Sequence, residues 1–176
     1  MTGPGDFAVS ETLRNGLAVT IRALRAEDRE KIARAVRGLD RESIYTRLFS
    51  HRTELTEAGL DRIMHFDPDS DVVLVVTKGS GADETVIGSG RYIVGPAEQG
   101  TRSAEVAFMV EENYHGLGIA SRLLQHLANV ARAQGIAAFD ATVLAENRAM
   151  LSVFARSGLP MGKRNEGGEV QVTLTL

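Results

Sequence analysis

The sequence predicts a mixed α/β (α+β) fold: one central, mostly antiparallel sheet of about six or seven strands, with helices on both faces. Three observations predict it. The order is mixed: a run of strand-length apolar segments is followed by strand and helix segments in alternation. "VSETLRNGLAVTIRAL" near the start and "MGKRNEGGEVQVTLTL" at the end read as hairpins. The length, 176 residues, is that of one domain at roughly 100–200 residues each. A loose tail is expected over residues 1–8 and a single domain over 9–176.

The elements follow in order. Asn15-Gly16 sits between two strand-like runs, a hairpin signal because both turn positions take positive φ. Glu27 to Val36 reads as a helix ending at Gly38. "DRESIYTRLF" (40–49) and "LTEAGLDRIMHF" (55–66) offer two further helices, the second with Thr56 as its N-cap. "DVVLVVTK" is a continuous apolar run, as in a buried strand. "TVIGSGRYIVG" is the next strand, its glycines marking a bulge or close packing, and "SAEVAFMV" the one after. Apolar residues at Ile119, Leu123, Leu124, Leu127, Val130 and Ala131 recur at helical spacing, and Gly135 stops the run. "AAFDATVL" is a strand, and "ENRAMLSVFARSG" a helix closed by Gly158.

Composition excludes several classes of function. A net charge of -3 argues against binding nucleic acid through bulk positive charge. Cysteine is absent, so there is no disulfide, thiol nucleophile or cysteine metal site. His51, His65, His115 and His126 show no paired ligand spacing, so no metal is expected. "MTGPGDFAVSETL" lacks a charged segment followed by an apolar core, and no apolar run approaches the ~20 residues of a membrane span. A soluble, cytoplasmic protein without a membrane partner is expected.

"YHGLGIASRLL" places Gly116 and Gly118 directly before a helix pattern. The plainest reading is a tight strand-to-helix connection. A dinucleotide turn is the second, since Gly116-x-Gly118-x-x-Ser121 approaches G-x-G-x-x-G, with Asp140 about 20 residues on. Ser121 replaces the third glycine, however, and Asp140 begins its strand where the ribose-binding acid should end one. No Gly-Lys-Ser/Thr follows, which excludes a P-loop. The third reading uses the first N–H groups of the helix. They lack intrahelical partners and carry partial positive charge, so a pyrophosphate can bind there without a lysine. That suits coenzyme A.

"VAFMVEENYHGLGIASRLL" resembles motif A of the GNAT superfamily of N-acetyltransferases, Gln/Arg-x-x-Gly-x-Gly/Ala, with His115, Gly118 and Ala120 at its fixed positions. His115 departs from the usual Gln or Arg. "LAENRAMLSVFARSGL" resembles the next motif, where an Asn opens a helix ending in Gly-Phe; Asn147 and Gly158-Leu159 stand there. The likeness follows the element order of nearly the whole chain. More narrowly, "LRNGLAVTIRALRAEDRE", "DRESIYTRLFSH", "ELTEAGLDRI" and "SAEVAFMV" resemble the acetyltransferase domain of bacterial protein lysine acetyltransferases. In that group the domain is often fused to a nucleotide-binding or acyl-CoA-synthetase-like domain, and a chain of this length is expected to carry neither.

The resemblance implies a GNAT fold and acetyl-CoA as co-substrate. The cofactor would be held by Phe108, Met109 and Val110, by the turn residues His115, Gly116, Leu117, Gly118, Ile119, Ala120 and Ser121, and by Asn147. Most of these contacts would be made by backbone N–H groups. Those near Met109 or Val110 would stabilise the negative charge that develops on the thioester oxygen. A bulge there would open the sheet, letting the pantetheine arm enter beside "AFDATVL".

Acetyl transfer needs a neutral amine, and a lysine, with pKa about 10.4, is mostly protonated at pH 7. Glu105 holds the position of the general base in the resembled enzymes. Alternation puts it on one side of its strand with Ala107 and Met109. By position alone it is equally a carboxylate in a surface ion pair. Asn147 also reads as an N-cap. Phe154 stands where many family members carry a Tyr that protonates the leaving thiolate, which leaves solvent as the proton source.

Glu42 and Tyr45, with Arg47, would line the acceptor wall, although an amphipathic helix explains them equally. Asp67, Asp69 and Asp71 would attract a cationic amine, or simply form a solvated loop. The expected function is acetyl transfer from acetyl-CoA to an amine, a protein lysine such as one on an acyl-CoA synthetase. A small-molecule amine acceptor and a non-catalytic acyl-CoA-binding regulatory module are the competing readings.

Overall fold

The computed structural model describes residues 4–37, 64 and 70–176. Among them, eight strands form one sheet in the order β1-β2-β3-β4-β5-β6-β8-β7. They are β1 (Ala8–Thr12), β2 (Ala18–Ala23), β3 (Asp71–Lys78), β4 (Thr85–Val94), β5 (Ser103–Val110), β6 (Ala138–Leu144), β7 (Met161–Glu166) and β8 (Glu169–Thr175). The α-helices bounded within the described residues are α1 (Arg29–Arg37), α2 (Ile119–Ala133) and α3 (Arg148–Ala155). Every neighbouring pair is antiparallel except β5–β6. A parallel pair needs a crossover connection, and α2 supplies it.

The strand count exceeds the expected six or seven. β7, expected as the first strand of the terminal hairpin, is exposed at every position after Met161 and carries no alternating apolar side. Its ladder with β8 makes it a strand. The first hairpin also differs in detail. Leu13 N–H donates to Leu17 O at 2.9 Å, and only Gly16 takes a positive φ, of 86°. The Asn15 side chain accepts the Leu17 N–H at 3.1 Å instead of entering the left-handed region itself. Where a loose tail is expected, Pro4–Asp6 form a 3-10 turn, Phe7 packs on the core and Ala8 begins β1. The helices expected over 40–49 and, Met64 apart, over 55–66 lie outside the described residues.

Helices cover both faces. In β3, Val72, Leu74 and Val76 join the core beneath α2, while Val73 and Val75 point to the face where α1 crosses β4. Two glycines in β4 let α2 lie close. A Cβ on Gly90 would stand 2.9 Å from Leu127 Cδ1, and one on Gly88 would stand 3.1 Å from Ile119 Cγ2. The close-packing reading of these glycines therefore holds, and any larger residue would push the helix off the sheet.

An ionic network fixes the start of α1. Arg22 donates to both carboxylate oxygens of buried Asp28 at 2.8 Å and to Glu84 at 2.8 Å. Lys31 reaches the same Glu84 oxygen at 2.7 Å. Burial pushes the Asp28 carboxyl up, but Arg22 and the Arg25 N–H outweigh it and hold it below its ordinary value. The Arg22 hydrogen bond, against the opposing effect of burial, holds Glu84 down at about 2. Among the described residues no helix is long and apolar enough to cross a membrane.

Candidate active site

The site follows β5 from end to end. At its C-terminal end the chain leaves Val110, makes a 3-10 turn over Glu112–Tyr114 and enters α2 through His115–Gly118. Gly116 has φ 78° and Gly118, the N-cap of α2, has φ 90°. That is left-handed backbone, which L side chains adopt only at a cost. Gly118 gives no side-chain cap, and the first turn of α2 holds no acidic residue. The orphan N–H groups of that turn face a cleft of about 210 Å³ lined by Gly116, Gly118, Ala120, Ser121, Val110 and Arg14. His115 Nε2 lies 2.9 Å from the Val110 carbonyl oxygen, tying the turn back to the strand it has just left.

These residues fit a pyrophosphate. A Cβ on Gly116 would meet nothing within 4 Å, so the main chain there is open to approach. Leu117, in contrast, turns its side chain partly into the core. Phe108, Met109, Val110 and Ile119 have buried side chains, which confines any ligand contact from the first three largely to main chain. The Asn147 side chain accepts the Met150 N–H at 3.2 Å, so its N-cap role is realised at the start of α3. Asp140 lies in β6, level with Glu105 and away from the glycine turn, and its Oδ1 accepts the Thr173 hydroxyl at 3.0 Å. It cannot serve as the ribose acid of a dinucleotide turn there.

The parallel ladder is short. β5 and β6 pair only as Ser103↔Ala138, Ala104↔Phe139 and Glu105↔Asp140. Beyond Glu105 the two strands part, and β6 keeps its pairing with β8 to Leu144. This parting is the opening expected for a pantetheine arm. The bulge expected near Met109 is not its cause. The β4–β5 ladder runs without a shift from Gly88↔Val110 to Val94↔Ala104, and the register shift in this part of the sheet lies between Val76 and Thr77 of β3.

Glu105 stands where the strands part, exposed on the face opposite α2. It lines a groove of about 350 Å³ with Ile93, Ser103, Asp140, Thr142 and Gln171. Five residues of strand, about 17 Å, separate it from Val110 at the glycine turn. One strand thus carries a carboxylate at one end and an anion-ready helix start at the other. Phe154 is buried, its ring centroid 6.1 Å from that of Phe108. Glu42, Tyr45 and Arg47 lie outside the described residues, as do Asp67 and Asp69. Asp71 accepts Arg91 Nη2 at 3.0 Å and is a paired carboxylate. Among the described residues no group of three or more His, Cys, Asp or Glu could hold a metal ion.

Two lining residues have no signal in the sequence. Arg14 comes from the β1–β2 turn, and Arg156 from the end of α3. Neither belongs to the glycine pattern, and Arg14 is brought to the cleft only by the folded hairpin.

A strand that parts from its parallel neighbour and feeds a glycine turn into a helix is the arrangement that the GNAT resemblance implies. The chain belongs to the acetyltransferase (GNAT) family, which residues 36–159 match. It is 31% identical over 168 residues to an acetyltransferase of Pseudomonas aeruginosa, covering 96% of this chain and 88% of that protein. It is 35% identical over 117 residues to acetyltransferase Pat of Mycolicibacterium smegmatis, covering 66% of this chain and 34% of that longer protein. Among solved structures, the GNAT domain of S. lividans PAT superposes with a TM-score of 0.82 at 31% identity, covering 96% of this chain and 97% of that one. The chain is an acetyltransferase.

Proposed function

We propose that the protein transfers an acetyl group from acetyl-CoA to a protein lysine, with Glu105 as general base. One observation carries the reading: Glu105 stands where β5 and β6 part, on the strand that leads into the glycine turn. The likenesses to Pat and to the GNAT domain of PAT support a protein acceptor.

The chain's own groups divide the work. The first-turn N–H groups of α2 hold the pyrophosphate. The gap between β5 and β6 admits the pantetheine arm and brings the thioester toward the middle of β5. Acetyl-CoA supplies the activated acyl group. Free main-chain N–H groups on β5 are placed to stabilise negative charge on the thioester oxygen. The amine approaches through the groove on the opposite face, where Glu105 takes its proton directly or through one water. Protonation of the thiolate falls to solvent, because Phe154 offers no proton.

The test presents labelled acetyl-CoA with lysine peptides, folded acyl-CoA synthetases and small amines. Transfer to lysine in a protein is expected to exceed transfer to small amines. Preferred small-amine transfer would overturn the protein acceptor. Tight acetyl-CoA binding with no transfer to any amine would turn the reading toward a regulatory module.

A further inference from the structure

The β1–β2 hairpin reaches the cofactor cleft. Arg14 is 102 residues from Gly116 in sequence, yet its Nη1 donates to the Gly116 carbonyl oxygen at 3.4 Å. Its Nε lies 3.6 Å from where a Cβ on Gly118 would stand. The guanidinium therefore lies over the N-terminal end of α2. That end carries partial positive charge, and no acidic residue of the first turn offsets it. Among the described residues, no carboxylate forms an ion pair with Arg14. A cation facing a positive helix end is unfavourable until an anion lies between them.

The hairpin is also held in this position. Glu11 accepts Arg122 Nη1 at 3.1 Å and meets His126 Nε2 at 2.9 Å. Arg122 Nη2 donates to the Thr12 carbonyl oxygen at 3.0 Å, and Phe7 sets its ring edge against His126 at 5.1 Å. Arg122 and His126 belong to α2, so β1 is strapped to the same helix whose start Arg14 overlooks.

We propose that Arg14 is a cofactor-binding residue that clamps the pyrophosphate of acetyl-CoA against the start of α2, held in place by the Glu11 strap. The inference rests on the acetyl-CoA reading above. A guanidinium offers two parallel donors to phosphate oxygens, and the helix N–H groups supply donors from the other side. The site thereby gains charge from a part of the chain that the glycine pattern does not include.

The experiment measures affinity for coenzyme A and dephospho-coenzyme A by calorimetry at several salt concentrations. It compares the full chain with its Arg14→Ala, Arg14→Lys and Glu11→Gln variants. Arg14→Ala should weaken both ligands about tenfold to a hundredfold, the loss of one or two charge-assisted hydrogen bonds. Its affinity should fall less steeply with salt than that of the wild type, since the clamp is exposed and screened. Arg14→Lys should be intermediate, and Glu11→Gln should shift affinity in the same direction by less. Without ligand, Arg14→Ala should melt no lower than wild type, because among the described residues it loses one long hydrogen bond and relieves a like-charge contact. Unchanged affinity, or an unchanged salt slope, would overturn the clamp. A penalty seen with coenzyme A but not with dephospho-coenzyme A would move Arg14 to the 3′-phosphate and equally overturn it. A folded wild type that binds neither ligand would instead remove the acetyl-CoA reading beneath it.

Discussion

Where β5 leaves the sheet at Val110 the protein builds with main chain, and where the strand parts from β6 at Glu105 it builds with side chains. At the first end, Gly116 and Gly118 are left-handed and bare, and the lining presents N–H groups. At the second, Glu105, Asp140, Thr142 and Gln171 present their side chains to a groove. The two ends therefore tolerate different changes. His115 stands where the family resemblance has Gln or Arg, and its ring bonds the Val110 carbonyl. No comparable substitution is available for Glu105 if it takes the proton.

Glu105→Gln tests the side-chain end and should have the largest effect. Shape is kept and the proton acceptor is lost, so kcat should fall by about 10²–10⁴ while coenzyme A affinity stays within error. Raising the pH supplies more neutral amine and should return part of the rate. Single-turnover rates across pH, with a verified acceptor, check both statements. Wild-type rates at pH 7 would show that Glu105 is only a surface carboxylate.

Two substitutions at the main-chain end should do the reverse, removing binding before chemistry. Gly118→Val forces a branched side chain into φ 90°, at about 1–2 kcal/mol. It should melt lower and bind coenzyme A about a hundredfold more weakly, or ~2.7 kcal/mol. Ala120→Asp puts a negative charge where the pyrophosphate binds. It should weaken coenzyme A to a similar degree yet melt no lower, because an acid in the first turn suits the helix dipole. Calorimetry with a parallel melting curve separates strain from charge. If Ala120→Asp binds normally, the pyrophosphate lies elsewhere.

The same contrast explains what the sequence makes legible. The main-chain end is visible because a left-handed N-cap demands glycine, and Gly116-x-Gly118 before a helical period is a local pattern. Glu105 is locatable only through the strand that leads into that pattern, since an isolated glutamate carries no signal of its own. Arg14 is invisible, because the hairpin that carries it packs against α2 a hundred residues away. The parting of β5 from β6 is equally hidden, for nothing in either strand's own pattern marks where the pairing stops. β7 is legible only through the Gly167-Gly168 hairpin turn beside it, because its ladder and not an apolar pattern makes it a strand.

A scaffold effect must be separated from any fall in rate at low pH. Glu84 is held at about 2 and Asp28 below its ordinary value, both under the unfolded carboxylate range near 4. A depressed folded pKa stabilises the native state above the unfolded pKa, and that stability is lost as pH falls through the folded one. The melting temperature should therefore decline between pH about 4.5 and about 2. Glu84→Gln should melt about 3–10 °C below wild type at pH 7, for the loss of charged hydrogen bonds. The gap should close near pH 2. A gap that stays constant across this range would mean that the Glu84 charge does not support the fold.

Phe154→Tyr should have the smallest effect on turnover. Its place is the one where the family resemblance puts the tyrosine that protonates the thiolate. Yet the Phe154 ring is 1% exposed and lies 6.1 Å from the Phe108 ring. A hydroxyl added there enters the core between α3 and β5, where an unsatisfied group costs about 1–3 kcal/mol. The melting temperature should fall by a few degrees. A thiol is a good leaving group whose anion takes a proton readily from water. Turnover should therefore stay within about threefold, under ~0.7 kcal/mol of barrier. Steady-state rates beside melting curves check both. A tenfold gain would show that thiolate protonation limits the rate and that the new hydroxyl reaches the gap between β5 and β6. The contrast would then sharpen: the protein would be complete at its main-chain end and one proton donor short at its side-chain end.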